Sequence, residues 1–345
     1  MKNLFCVLLI VFAAGAIFGQ KTLDVQDFSP DYYGKIYIAE PSEVFSKGWV
    51  AIYQKKTNKQ LIKVDSDELA IETEDGKAKA NVKELPYGEQ SAIIYEDFNF
   101  DGVKDFAIMD GQFSCYHGPS FQIYLAGKVK NRFALSPAFT ELAQEYCGMF
   151  EVDRAKKRIT TMTKSGCCWH QMSEFIVVGN KPKAVKIVEE DMTKFPLSIV
   201  STEIWNGTKM VKTTVRTVDL TEENEIKVLL SFKTQKGGDE IVLLRSDDML
   251  FYFFINGKQN VELAYPTDSE SENPTFTLDA NGKNTTLAFT NRGVTYKIYE
   301  TENEKIGVRI VAGGRSSDIP GNFASRKGSL RQLKGETLSN VTLKK

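Results

Sequence analysis

The chain has 345 residues, 42% of them hydrophobic, with 44 Lys and Arg set against 45 Asp and Glu for a net charge of −1. That balance, with no Lys/Arg run, argues against nucleic acid or an anionic membrane surface as partner. The length suits two domains at roughly 150 residues each.

Met1-Lys2-Asn3 is a short basic start, and an apolar run from Leu4 to Phe18 follows it. At about fifteen residues this run falls short of the roughly twenty that span a bilayer. With Gly19 as a small residue before Gln20, it reads as a cleavable secretory signal over 1–19. Cys6 sits at the front of the run, which argues against lipoprotein cleavage. With no second long apolar stretch, the mature chain is expected to lack a transmembrane segment and to be periplasmic or secreted.

From 20 to 33 the residues are mixed and read as an extended lead-in. Apolar and polar residues then alternate over 35–39, 48–55, 60–64 and 69–72, with turns expected at Thr57-Asn58-Lys59 and Asp65-Ser66-Asp67. Such alternation with turn punctuation predicts antiparallel strands. The charged piece 72–83 reads as an exposed connection, and strands are expected at 92–95, 106–109 and 121–125. The best helix candidate in this half is 139–146, with Thr140 as a cap before Glu141. A hairpin is expected from 150–152 and 158–162, and another from 174–178 and 184–188 across Gly179-Asn180-Lys181-Pro182.

The texture continues with 199–205 and 209–218 flanking Asn206-Gly207, a strong hairpin signal. The acidic run Thr221-Glu222-Glu223-Asn224-Glu225 is taken as the domain boundary. Beyond it, strands are expected at 227–233, 240–244, 249–255, 275–278, 285–289, 294–299 and 307–311. The expectation is an all-β, antiparallel protein: a sandwich or propeller-like first domain over 20–220 and a smaller second β domain over 221–345.

Chemistry concentrates in Asp97-Phe98-Asn99-Phe100-Asp101-Gly102-Val103-Lys104-Asp105. Calcium needs six to eight oxygens, and alternate residues of a curled loop turn toward one centre while Gly102 permits the bend. Asp97, Asn99, Asp101 and Asp105 would give side-chain oxygens and Val103 its carbonyl. An EF-hand requires glutamate at its twelfth position, where this chain has Ile108, so the loop is not an EF-hand. Its flanks alternate like strands, which resembles the loops of extracellular β-proteins of the integrin-repeat and VCBS type. Its calcium would be structural, bound at roughly 0.1 to 1 mM. Without a metal the same residues make a solvated turn.

Cys115, Cys147, Cys167 and Cys168 remain after processing, an even number that favours disulfides in an exported chain. A Cys167–Cys168 ring would be strained, so each of these is expected to reach Cys115 or Cys147. A competing reading is a tetrahedral zinc site, since His117 and His170 lie beside cysteines, although adjacent cysteines lack the usual spacer. G-x-S-x-G, phosphate loops and dinucleotide fingerprints are absent. A histidine base would have to be His117 or His170, and a carboxylate pair for glycoside hydrolysis is a weak signal among 45 acidic residues. A binding protein rather than an enzyme is therefore expected.

The 97–105 loop, the later run Tyr116-His117-Gly118-Pro119-Ser120-Phe121-Gln122-Ile123-Tyr124-Leu125 and the motif Ser165-Gly166-Cys167-Cys168-Trp169-His170 together carry a family resemblance. The chain resembles exported bacterial β-proteins related to a periplasmic immunity protein of Xanthomonas type IV secretion, most firmly over 90–190. That resemblance implies a calcium loop, a fold like that of periplasmic lysozyme inhibitors, and neutralisation of a peptidoglycan-cleaving enzyme. Inhibitors of this kind often plug the enzyme cleft with a Ser-Gly-x-x-Tyr loop. Here Ser165 and Gly166 match, Trp169 replaces the tyrosine and cysteines fill the variable positions. Ser165, Gly166, Trp169 and His170 are thus the expected partner-binding residues, and a lysozyme-like hydrolase the expected protein partner. Two alternatives stand beside this: Trp169 buried against the disulfides as a core staple, and a cell-envelope or carbohydrate-binding module without inhibitory activity.

Overall fold

The computed structural model describes residues 21–84, 88–218, 220 and 226–344. The expected signal at 1–19 and the acidic run 221–225 lie outside the described residues. The chain divides into two compact units, Met1–Lys164 with Met172–Val185 and Ser165–Gln171 with Lys186–Lys345.

In the first unit, β1 (Lys21–Val25), β2 (Tyr32–Ile38), β3 (Ser46–Gln54) and β4 (Gln60–Leu69) form one antiparallel sheet in chain order. A second antiparallel sheet holds β5 (Ile93–Glu96), β6 (Asp105–Ser114), β7 (Gly118–Ala126) and β8 (Phe133–Leu135). One core joins them, including Ile36, Val50, Ile52 and Val64 from the first sheet and Ile93, Phe106, Ile108 and Ile123 from the second. Phe106 is ringed by Phe28, Tyr32, Tyr95 and Phe133 at centroid distances between 4.6 and 6.0 Å. These are the offset and edge geometries that aromatic quadrupoles favour.

Three local expectations need correction. No separate strand spans 69–72: Leu69 ends β4 and 70–73 are not in a strand. The Asp65-Ser66-Asp67 turn is absent, because β4 runs through it with Ile62, Val64 and Ser66 inward and Asp65 and Asp67 exposed. Strand periodicity thus outweighs the turn preference of Asp and Ser. The helix α1 is Pro137–Gln144 rather than 139–146, beginning where Pro137 supplies its fixed φ in the first turn. Thr140 is no cap: its buried Oγ1 accepts the Ile123 N–H at 2.9 Å.

The strands β9 (Glu151–Asp153) and β10 (Arg158–Ser165) form the expected hairpin, with Val152 opposite Ile159. β11 (Trp169–Val178) and β12 (Lys181–Lys194) are joined through Gly179 and Asn180, both at φ 58°, as a tight hairpin turn requires.

In the second unit, β13 (Leu197–Trp205) pairs with β12 and with β14 (Met210–Val218). Next come β15 (Ile226–Lys233), β16 (Glu240–Ser246), β17 (Met249–Ile255) and β18 (Val261–Tyr265), then β19 (Phe276–Asp279), β20 (Thr285–Asn291), β21 (Val294–Glu300), β22 (Ile306–Ala312) and β23 (Arg315–Pro320), and last β24 (Lys327–Gly328) and β25 (Val341–Leu343). They make a five-stranded sheet, β18-β17-β16-β15-β24, and a six-stranded sheet, β23-β22-β21-β20-β19-β25. The β19–β25 pair is parallel, whereas the other pairings described in these two sheets are antiparallel.

The five-stranded sheet is buried on both faces. Ile241, Leu243, Leu250 and Tyr252 face a core shared with Leu287, Phe289 and Ile298, while Val242, Leu244, Phe251 and Phe253 face a core shared with Leu197, Ile199 and Val218. Two-sided burial explains why 241–244 and 249–255 read as near-continuous apolar runs instead of alternating ones. It also explains why 186–218 group with the second unit: Leu197, Ile199 and Val218 help bury one face of its central sheet. Arg216 adds to this by forking onto both Asp268 oxygens at 2.6 and 2.7 Å, while Asn260 Oδ1 accepts the Arg216 backbone N–H.

Candidate functional site

Glu96 of β5 lies opposite Asp105 of β6, and the 97–105 loop closes that pair. Asp97 Oδ1 accepts the Asp101 N–H at 3.2 Å and its Oδ2 the Gly102 N–H at 2.9 Å. Asn99 Oδ1 also accepts the Asp101 N–H, and Asp101 Oδ1 accepts the Val103 N–H at 2.8 Å. Gly102 sits at φ 91° with no atom within 4 Å of where a Cβ would stand, so glycine is required by the dihedral angle alone. The loop therefore folds its acidic side chains around its own backbone donors. Val103 remains exposed.

Asp105 stands apart at the base of the loop and is fully buried. Its Oδ2 accepts the Phe98 N–H at 2.9 Å and its Oδ1 the Ala126 N–H at 2.8 Å. Burial pushes its carboxyl up to about 7; those two N–H groups oppose the rise, and the charges of Asp101 and Asp97 add to it. Among the described residues, no group of three or more His, Cys, Asp or Glu side chains is arranged to hold a metal ion.

The expected cysteine pairing is corrected. Cys115 bonds Cys147, with their Cα atoms 4.8 Å apart, and Cys167 bonds its neighbour Cys168. The physical reason is reach: Cys115 follows β6 and Cys147 follows α1, and folding brings their Cα atoms within the span a disulfide bridges. With all four sulfurs in disulfides, no thiolates remain for the zinc reading. His117 instead approaches Glu68, Nε2 to Oε2 3.1 Å, and packs edge-on against Phe45.

In the turn between β10 and β11, Gly166 is left-handed at φ 63°, and Ser165, Gly166 and Cys167 are exposed. Cys168 O accepts the Met192 N–H at 2.8 Å. Trp169 is half-buried, and its Nε1 donates to Glu189 Oε1 at 3.3 Å. It belongs to none of the three hydrophobic clusters of buried residues, so a polar contact orients it, which departs from the core-staple reading. His170 is half-buried beside it. Ser165 thus ends β10, Gly166 lies in the turn, and Trp169 and His170 open β11.

The loop that Asp110 to Ser114 and Gly118-Pro119 frame in the sequence is the turn between β6 and β7, where Tyr116 and His117 are both left-handed at φ 54° and 59°. Neither is glycine or asparagine, so the sequence does not signal that backbone conformation. Such backbone conformations cluster at functional positions.

No protein-family model matches the chain, and no curated protein matches it in sequence. Among solved structures it is similar to a Xanthomonas type IV secretion system related protein, at 17% identity and a TM-score of 0.45, over 57% of this chain and 94% of that one. It is also similar to prolyl oligopeptidase B from Galerina marginata, at 8% identity and a TM-score of 0.25, over 89% of this chain and 42% of that one. At these values neither likeness transfers an activity or a site residue.

The two disulfides differ in what they constrain. Cys115–Cys147 closes a span of 32 residues, worth roughly 3–4 kcal/mol through the unfolded chain, whereas a bond between neighbours closes no chain loop. In denaturant unfolding, Cys115→Ala with Cys147→Ala is expected to lose about 2–4 kcal/mol. Cys167→Ser with Cys168→Ser is expected to stay within about 0.5 kcal/mol of the parent. Equal losses in both pairs would contradict this division.

Proposed function

We infer that the protein is exported, acts by binding another protein rather than by catalysis, and presents the 165–170 turn to that partner. The observation that carries this reading is the turn itself: an exposed loop tip fixed by a bond between adjacent cysteines and followed by a Trp oriented through Glu189. A bond between adjacent cysteines closes no chain loop, so its constraint is local. A rigid tip loses less conformational freedom on binding, and Trp is a favoured anchor. The two disulfides support export to an oxidising compartment. Among the described residues no helix is long and apolar enough to cross a membrane.

The partner class is a lysozyme-like peptidoglycan hydrolase, whose cleft the tip would fill. Purified protein mixed with lysozymes of several classes and a muramidase should inhibit at least one of them and form a complex with it. Trp169→Ala should weaken that complex at least tenfold, about 1.4 kcal/mol. Absence of inhibition and of any complex across the panel contradicts the reading, and retention of glycan alone favours an envelope-binding module.

The 97–105 loop is assigned one structural Ca2+, held by Asp97, Asn99, Asp101 and Asp105 with the Val103 carbonyl. The donor set supports this, since every donor is a hard oxygen of the kind calcium takes. The buried Asp105 supports it as well: a carboxylate without a cationic partner is costly to bury, and a divalent ion beside it would offset that cost. Ligand binding to the folded state raises the melting temperature. Millimolar calcium should therefore raise Tm over chelator-treated protein by a few degrees, and Asp101→Ala should abolish the rise. An unchanged Tm with the parent chain would remove calcium from the account.

A further inference from the structure

A cavity of about 150 Å³ lies between β10, β11 and the segment 147–151, and neither the 165–170 turn nor the 97–105 loop lines it. Its wall carries four sulfur-bearing residues, Cys147, Met149, Met162 and Met172. Cys147 and Met149 are buried, whereas Met172 is 45% exposed and stands with the exposed Glu151 at the mouth. Thr161 lines the same cavity; it is 3% exposed, and its Oγ1 has no hydrogen-bond partner. A buried hydroxyl left unsatisfied is uncommon in native proteins and calls for an explanation.

Position 161 is one where the fold asks for an apolar residue. Ile159, two residues earlier on β10, is fully buried in the core of the first unit, and alternate residues of a strand share a face. Valine has nearly the shape of threonine, so packing alone does not account for the hydroxyl. The wall around it is held in place by the backbone: the Met162 carbonyl accepts the Cys147 N–H at 2.9 Å, and the Cys115–Cys147 bond ties the same segment to the β6–β7 turn. Thioether sulfur makes favourable contacts with aromatic rings, and methionine adapts its shape to what it covers. An apolar cavity of about 150 Å³ takes one six-membered ring.

We propose that this cavity binds a phenol ring, with the ring against the methionine side chains and its hydroxyl on Thr161 Oγ1. Charge and hydrogen bonding both select that group. Glu151 at the mouth opposes a carboxylate, whereas a phenol, with a pKa of about 10, is neutral at ordinary pH. A phenol hydroxyl both donates and accepts, as the threonine hydroxyl does, so the pair is satisfied in either sense. An aliphatic alcohol would meet Thr161 but would lack the ring that the sulfur-bearing wall favours. A free phenolic compound and the tyrosine side chain of a peptide share this chemistry.

Calorimetric titration of the full chain tests the proposal with three probes: p-cresol, toluene and N-acetyl-tyrosinamide. Saturable one-to-one binding of p-cresol is expected, with toluene about fivefold weaker, the difference that one neutral hydrogen bond makes. N-acetyl-tyrosinamide binding as tightly as p-cresol, or more tightly, identifies a tyrosine side chain as the ligand, and weaker binding identifies a free phenol. Thr161→Val should bring p-cresol down to the affinity of toluene and leave Tm equal or higher, because the hydroxyl makes no hydrogen bond in the fold. Met172→Ala should weaken p-cresol and toluene alike. In protein carrying 13C-methyl methionine, p-cresol should shift the resonances of Met149, Met162 and Met172 through its ring current and leave those of Met210 and Met249 in place. No saturable binding of p-cresol at millimolar concentration, equal binding of p-cresol and toluene, unchanged affinity in Thr161→Val, or shifts confined to other methionines would each overturn the proposal.

Discussion

The first unit depends on one buried carboxylate. Asp105 opens β6 inside the core, where an uncompensated charge is costly, and two backbone N–H groups are what hold it there. Those donors come from different places in the fold. Phe98 lies in the loop between β5 and β6, and Ala126 ends β7, so one side chain fixes the loop to two strands of the same sheet. Phe98 is itself fully buried against Phe150 at 5.4 Å, which extends the same constraint to the segment before β9. The acidic loop is thus anchored from beneath while Asp97 and Asp101 curl around its own N–H groups at the surface.

The second unit has a central sheet that is apolar on both faces. Its buried carboxylate, Glu300, accepts the Ser329 hydroxyl and the Leu330 N–H beside Arg326, and Arg216 pairs with Asp268. The two units also differ in how they are stapled. Cys115–Cys147 ties distant parts of the first, whereas Cys167–Cys168 shapes only the turn that carries it. That contrast is the physical basis for reading the turn as a recognition element.

Much of the fold was legible because strand periodicity is a local signal. Alternation placed the strands of the first sheets, and Asn206-Gly207 marked its hairpin correctly. The continuous runs at 241–244 and 249–255 were read as strands, but their two-sided burial depends on Leu197, Ile199 and Val218, which periodicity does not connect to them. Reading residue identity ahead of period gave a false turn at Asp65-Ser66-Asp67. The strands β1, β8, β18, β23, β24 and β25 escaped because they are short or, like β23, almost wholly exposed. The acidic loop was visible at once, since its donors are contiguous. The cysteine pairing was not, because Cys115 and Cys147 meet only when α1 and the β6–β7 turn fold together.

We propose that Asp105 and the loop above it form a cation-bearing joint in the first unit. A crystal structure of the protein grown with calcium, with anomalous scattering recorded, tests this directly. An anomalous peak enclosed by Asp97, Asn99, Asp101, Asp105 and the Val103 carbonyl is the result expected. A loop with no peak, its carboxylates still turned to the backbone N–H groups of Asp101, Gly102 and Val103, would contradict it.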